Sequence, residues 1–169
     1  MDGAIGTVRP VREEPPAFEE FFEAEYGRLL KVLYLITGSR TEAEDLAQEA
    51  MARALERWQR VSAMERPGGY VYRTTLNLNR KRLRHLSVAA RRLGGVGNRE
   101  EPSLEERTEV RMALDSLPRP MREALVLVEW LGLDAAEAGR LLGIRPGSVR
   151  SRVSRARSAL RERMGEDDA

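Results

Sequence analysis

The arginines near the carboxyl end of the chain are the residues whose type and spacing most directly indicate a chemistry. Residues 140 to 163 contain eight arginines and a single acid, Glu162. The apolar residues in this stretch recur at intervals of four, three and four, which is the spacing of one helix face: Val149, Val153, Ala156 and Leu160. The arginines and small hydroxyl residues then project from the other side. Such a helix is suited to the phosphates and base edges of a DNA major groove.

A short helix is expected to precede this one. Asp134 and Glu137 form a capping arrangement, and Gly143 permits a tight turn between the two helices. The sequence therefore predicts helices at about 134–142 and 146–163, joined by Leu-Gly-Ile-Arg, as a helix-turn-helix unit.

The DNA contacts predicted for this unit lie on the second helix or in the turn before it. Arg150, Ser151 and Ser154 are the candidates for reading bases, and most of the remaining arginines are expected to bind phosphates. The full predicted set is Arg145, Gly147, Ser148, Arg150, Ser151, Arg152, Ser154, Arg155, Arg157 and Arg161.

A second basic block lies in the middle of the chain. Residues 73 to 92 contain seven basic residues and no acid, whereas the chain as a whole has a net charge of only +2. The rest of the sequence must therefore be strongly acidic. Two basic blocks in an acidic frame indicate two separate nucleic-acid contacts and an acidic surface for a different partner. Solvated charged helices are the alternative interpretation of both blocks.

The pattern of apolar residues predicts an all-α protein with two small helical domains joined by a flexible linker. Thr41 and Glu44 have the spacing of a capping box, and Trp58 and Trp130 are expected in the cores. The predicted helices lie at about 17–37, 42–60, 70–90, 104–116, 119–131, 134–142 and 146–163. The predicted division is a tail at 1–16, a first domain at 17–92, a linker at 93–103 and a second domain at 104–165.

The composition excludes several classes of function. The chain has no cysteine and a single histidine, His85, so cysteine metal sites, disulfides and histidine pairs are ruled out. No apolar run approaches the length of a membrane span, and the first residues lack the apolar core of a signal peptide. We expect a cytoplasmic protein without membrane insertion, bound metal or cofactor.

Three segments resemble the sigma factors of bacterial RNA polymerase. Residues 134–157 resemble the promoter-reading domain of that family, and Gly-Ser-Val-Arg-Ser-Arg, which begins at Gly147, is the most specific part. Residues 113–125 look like the entry helices of the same domain, and residues 43–50, Ala-Glu-Asp-Leu-Ala-Gln-Glu-Ala, resemble the polymerase-binding helix. The two-domain length resembles the extracytoplasmic-function group, group IV of the sigma-70 superfamily.

This resemblance implies a role for each domain. The first domain would be sigma region 2, which binds core polymerase and the −10 promoter element, and the second would be region 4, which binds the −35 element. The clamp coiled coil of the largest polymerase subunit would meet Asp45, Gln48, Glu49 and Arg53. The −10 element would meet Tyr70, Tyr72, Arg73, Asn77, Arg80, Lys81 and Arg84.

Two features of the −10 set depart from the family pattern. Tyr70 stands where the family often has tryptophan, and Lys81 stands where it often has an acid. Opening DNA requires the extruded bases to be captured by pockets or aromatic rings while basic residues hold the backbone. The set has the necessary residue types, although either tyrosine could instead belong to the core.

The resemblance also implies promoter DNA as a partner, no catalysis, and an anti-sigma factor as a candidate partner that no residue here identifies. A stand-alone helix-turn-helix regulator remains the first alternative. A recombinase-type enzyme would need a nucleophile or carboxylate cluster in the first half. The hydroxyl and acidic residues there are better explained as helix caps and a polar helix face.

Overall fold

The computed structural model describes residues 17–93 and 108–167. Regular structure in these two ranges is entirely helical, which confirms the predicted all-α class. The predicted tail and nearly all of the predicted linker lie outside the described residues. The helices are α1 (Phe18–Thr37), α2 (Arg40–Glu56), α3 (Trp58–Val61), α4 (Pro67–Leu93), α5 (Glu109–Asp115), α6 (Arg119–Leu125), α7 (Ala135–Leu142) and α8 (Pro146–Asp167), with a π-helical segment at Val126–Trp130.

Helix α1 follows its predicted limits. Gly38 adopts a left-handed conformation with φ of 77° and ends the helix, because glycine enters this region without steric cost. The buried face of α1 consists of Leu29, Val32, Leu33, Leu35 and Ile36, and it packs along α2. Helix α2 in turn packs along α4, so these three helices form the core of the first half.

The predicted capping box at the start of α2 is wrong. Once Gly38 has turned the chain, Ser39 is the residue with extended backbone, and its Oγ accepts a hydrogen bond from the Glu42 amide at 3.2 Å. Thr41 therefore lies inside the helix, and Glu44 accepts a hydrogen bond from Arg40 Nε at 2.9 Å instead.

The predicted single helix at 42–60 is also wrong, because the helix is interrupted at Arg57 and resumes as α3. This interruption turns Trp58 toward the start of α1. Its ring centroid lies 5.3 Å from that of Phe18 and 4.9 Å from that of Phe21. Aromatic packing of this kind fixes α3 against α1.

Helix α4 begins at Pro67, earlier than predicted. Proline is favourable in the first turn, where its missing N–H costs nothing. Thr75 is fully buried in this helix, and its hydroxyl donates to the carbonyls of Val71 at 3.0 Å and Tyr72 at 2.8 Å. These bonds explain how a polar residue is accommodated in the apolar core.

Trp130 does not belong to the core, contrary to the prediction. The backbone widens to a π-turn here, with the Leu131 amide donating to the Val126 carbonyl at 3.3 Å. This turn changes the helical phase, so that Val126 and Leu131 are buried while Trp130 is 45% exposed. The Trp130 ring lies instead against Lys31 of α1, whose Nζ is 5.0 Å from the ring centroid.

The predicted helix-turn-helix unit is present as α7 and α8. Asp134 and Glu137 form the expected capping box, and Gly143 is left-handed with φ of 68°. Gly139 permits the close crossing, because a Cβ atom there would approach the Ile144 carbonyl oxygen to 2.7 Å. The predicted buried stripe of α8 is confirmed at Val149, Val153 and Ala156.

Candidate nucleic-acid and partner interfaces

The predicted DNA residues of the helix-turn-helix lie on α8 around its buried stripe or in the turn before it. Because the apolar stripe of α8 faces the core, nine of the ten predicted residues are exposed to solvent, and Arg152 is half-buried. These residues therefore face the solvent, as a helix that enters a major groove requires.

A groove of about 460 Å³ runs along this side of α8. Its apolar lining includes Val128 and Leu133, while Arg150, Ser154, Arg157 and Arg161 supply polar groups from α8. Arg157 is held at the edge of the groove by Glu129, whose Oε1 accepts from Arg157 Nε at 2.9 Å and from Nη2. Sequence reasoning missed Glu129, because it lies 28 residues earlier and only the fold brings it here.

A second basic groove lies between the end of α2 and α4. Most of the predicted −10 residues line it, at intervals that place them on one face of α4. The groove has a volume of about 410 Å³ and is lined by Arg53, Arg57, Tyr70, Arg73, Thr74, Asn77, Leu78, Lys81 and Arg84. It brings five arginine or lysine side chains beside one half-buried aromatic ring.

Arg57 was missed in the sequence because its place in the groove depends on the break after α2. Its Nη1 lies 3.5 Å from the Tyr70 hydroxyl oxygen. Arg53, which the resemblance assigns to polymerase binding, also lines the groove, and its Nη2 donates to Glu49 at 2.6 Å. Arg53 therefore lies between the two predicted surfaces.

Two residues of the predicted −10 set, Tyr72 and Arg80, do not line this groove. Tyr72 is only 8% exposed, and burial raises the pKa of its hydroxyl to about 12. A ring packed in this way presents no open face to a base, which disagrees with its predicted role. Arg80 points toward the second half of the chain, and its Nη2 donates to the Leu142 carbonyl at 2.8 Å.

The predicted polymerase-binding residues share the exposed side of α2. Asp45, Gln48 and Glu49 are all exposed beside Arg53. Leu55, seven residues after Gln48, falls on the same helix face and is 53% exposed. A single exposed leucine is common on protein surfaces and does not by itself mark an interface, but Leu55 adds apolar area to this side of α2.

The start of α7 is linked to the loop before α4 by an ion pair between Arg66 and Glu137. The hydrogen bond from Arg66 is the main cause that lowers the pKa of Glu137, and a hydrogen bond from the backbone of Asp134 lowers it further.

Among the described residues no group of three or more acidic, histidine or cysteine side chains could hold a metal ion. Nor does any described helix have the length and apolar character needed to cross a membrane.

Family models match both halves of the chain. The model of sigma-70 region 2 matches residues 21–88, and that of sigma-70 region 4 matches residues 107–160. The ECF RNA polymerase sigma factor SigE of Mycolicibacterium smegmatis is 32% identical over 165 residues, which cover 87% of this chain and 61% of that protein. A probable RNA polymerase sigma-C factor of Mycobacterium bovis is 32% identical over 133 residues, covering 75% of this chain and 72% of the relative.

Solved structures share the same fold. The sigma factor RpoE of Bartonella quintana, solved with the anti-sigma factor NepR, gives a TM-score of 0.74 at 22% identity, covering 86% of this chain and 94% of that one. CnrH, solved with the cytosolic domain of CnrY, gives a TM-score of 0.61 at 21% identity, covering 89% and 88%. The fold, the two matched regions and the sequence relatives agree, and the chain belongs to the sigma-70 family, among the ECF RNA polymerase sigma factors.

Proposed function

We propose that the protein binds core RNA polymerase and directs it to promoters by recognising the −10 and −35 elements. The observation that carries this proposal is the presence of two exposed basic surfaces, the α8 face and the α4 groove, in a chain that matches sigma regions 2 and 4. We retain the predicted division at 17–92, 93–103 and 104–165 for these regions.

The −35 element is proposed to bind α8. Arg150 is exposed near the amino end of this helix, the end that reads base edges in helix-turn-helix proteins. An arginine there can donate two hydrogen bonds to guanine. Ser151 and Ser154 are the other proposed base readers, and the remaining predicted arginines bind phosphates.

The −10 element is proposed to bind the α4 groove as a separated strand. Tyr70 provides the stacking surface for an extruded base, and Arg57 lies beside its hydroxyl group. Arg73, Lys81 and Arg84 line the same groove and are placed to bind the sugar-phosphate backbone. Stacking on an aromatic ring combined with basic side chains is the usual basis of single-strand binding.

The polymerase is proposed to bind the exposed side of α2. Asp45, Gln48 and Glu49 offer polar contacts, and Leu55 offers an apolar one. The family resemblance implies that the clamp coiled coil of the largest subunit would meet this surface. An anti-sigma factor is a further proposed partner, since the sigma factor RpoE of Bartonella quintana, which shares this fold, was solved with the anti-sigma factor NepR. We propose that the protein acts in the cytoplasm, where the polymerase is, and that it catalyses no reaction itself.

Permanganate footprinting tests this proposal on promoter DNA. Unpaired thymines in the −10 element should become reactive only when core polymerase and the protein are both present. The Tyr70→Ala variant should reduce this reactivity, while Tyr72→Phe serves as the matched control at the buried tyrosine. Specific duplex binding without core, together with no core-dependent thymine reactivity, would favour a stand-alone regulator instead.

A further inference from the structure

Helix α1 contacts both ends of the segment that leads from α2 into the α4 groove. At the first end, Phe18 and Phe21 pack on the ring of Trp58, at centroid distances of 5.3 and 4.9 Å. Trp58 directly follows Arg57, whose side chain lies beside the Tyr70 hydroxyl group. Helix α1 therefore supports the arginine that lies next to the proposed stacking ring.

The second end is the amino terminus of α4, where α1 supplies the carboxylate of Glu25. Glu25 is half-buried, and its Oε2 lies 3.4 Å from the position that a Cβ atom would take at Gly68. Tyr72 is one helical turn further along the same face of α4. After burial, the negative charge of Glu25 is the next cause that raises the pKa of the Tyr72 hydroxyl. Glu25 therefore faces the first two turns of α4.

This carboxylate supplies a charge that the start of α4 lacks. The first turn of α4 contains no acid of its own. Backbone N–H groups at a helix start have no intrahelical acceptor, and that end carries partial positive charge. A half-buried carboxylate is screened less by water than an exposed one. Glu25 is therefore placed to hold the first turn of α4.

The orientation of this first turn decides where the Tyr70 ring lies. Tyr70 follows Gly68 by two residues, so its side chain is rotated by about 200° around the helix axis. Gly68 thus faces α1, while Tyr70 lines the α4 groove on the other side of the helix. Helix ends fray more readily than helix centres. Fraying here would move the ring away from Arg57.

We propose that Glu25 is a positioning residue for −10 recognition, whose carboxylate holds the first turn of α4 so that the Tyr70 ring faces the groove beside Arg57. The inference rests on the proposed function, because that function assigns the capture of an extruded base to Tyr70. Glu25 is not among the residues that line the groove. Its effect on strand binding must therefore pass through Tyr70.

Glu25→Gln is the test variant, because it removes the charge and keeps the side-chain shape. Glu23→Gln is the matched control, since it removes an exposed acid from the same helix and changes the net charge equally. The assay measures binding of a single-stranded oligonucleotide from the −10 region of a transcribed promoter to the full-length protein with core polymerase. Glu25→Gln should weaken binding about threefold to tenfold, the range for a partly buried charge at a helix end. Glu23→Gln should not weaken it.

A double-mutant cycle separates positioning from a general loss of stability. If Glu25 acts through Tyr70, Glu25→Gln should cause no further loss of oligonucleotide binding in a protein that already carries Tyr70→Ala. Duplex binding through α8 should stay normal, which also shows that the variant is folded. An equal loss in both backgrounds, or a loss that Glu23→Gln shares, would overturn the proposal and leave the proposed function intact.

Hydrogen exchange in the free protein gives a measurement that needs no DNA. The backbone amides of residues 69 to 72 should exchange about threefold faster in Glu25→Gln than in the parent protein or in Glu23→Gln, because the first turn opens more often. Unchanged exchange would overturn the proposal. Faster exchange in Glu25→Gln alone, in a protein that adds no oligonucleotide binding to core polymerase, would reject the proposed function while supporting the contact of Glu25 with α4.

Discussion

Glu129 and Arg157 form an ion pair at the edge of the proposed −35 surface, with Arg157 Nε 2.9 Å from Glu129 Oε1. Both side chains are about half exposed, so the pair contributes little to stability. Its expected effect on DNA binding is larger. Glu129 neutralises an arginine on the helix that is proposed to face the phosphates, and thus lowers the effective positive charge of that helix.

Glu129→Gln should therefore strengthen DNA binding. Release of Arg157 to a phosphate should make the slope of log affinity against log salt steeper by roughly 0.9, the value for one phosphate contact. A salt series of duplex-binding measurements checks this. Glu162→Gln is the control, since it removes an exposed acid of the same helix that forms no ion pair with Arg157. Identical slopes in the two variants would show that the effect is one of net charge alone.

Arg150→Ala should relax sequence selectivity. Loss of a bidentate base contact should reduce discrimination between a −35 site and a scrambled site by about 1–3 kcal/mol. Arg161→Ala should instead weaken binding to both sites equally. Competition binding with the two duplexes separates these results, and an equal loss on both sites in Arg150→Ala would make Arg150 a phosphate contact.

Tyr70→Ala should weaken capture of the −10 strand by about 1–3 kcal/mol, the contribution expected for one stacked base. Tyr70→Phe should bind almost normally, because the ring is kept and only the distant contact with Arg57 is lost. Binding of a −10 oligonucleotide to the complex with core polymerase measures both. Equal losses of oligonucleotide binding in the two variants would show that the hydroxyl group of Tyr70, and not its ring, makes the contact.

Tyr72 should make the stability of the protein fall at high pH. Burial raises the pKa of its hydroxyl from 10.0 to about 12, so the folded protein binds this proton more tightly than the unfolded chain does. The corresponding stability is fully present below pH 10 and is lost as the pH rises through 12, by roughly 2 kcal/mol. Urea unfolding between pH 9 and 11 should show a smaller decrease in Tyr72→Phe. The same decrease in both proteins would argue against a buried hydroxyl.

Replacement of Asp45 and Gln48 by alanine should weaken binding to core polymerase and leave duplex binding through α8 unchanged. Both side chains lie on the exposed side of α2 and form no part of its buried face. Gln59→Ala is the control, because Gln59 is an exposed glutamine on the neighbouring α3. Normal core affinity in the double variant would exclude this side of α2 as the polymerase surface.

Local patterns were sufficient to predict the helix-turn-helix. The apolar stripe of α8 and the capping box of Asp134 and Glu137 depend only on neighbours in sequence, and the structure confirms both. The position of Trp130 was not predictable in this way, because a π-turn changes the helical phase without a distinctive sequence signal.

Relations between distant residues account for what the sequence missed in the candidate sites. Arg57 reaches the α4 groove because the helix breaks between α2 and α3, and Arg80 is bonded to a carbonyl 62 residues away. Helical spacing assigned Arg80 and Lys81 to one basic block. Only tertiary packing shows that the first contacts α7 and the second lines the groove.

Run-off transcription with purified core polymerase tests the central claim most directly. Genomic promoter templates should be transcribed from defined start sites when the full-length protein is added, and core alone should yield no such transcripts. Addition of the Asp45→Ala, Gln48→Ala double variant should reduce the signal, and Gln59→Ala should not. The absence of any protein-dependent transcript across a genomic promoter library would contradict the assignment of promoter-directed initiation to this chain.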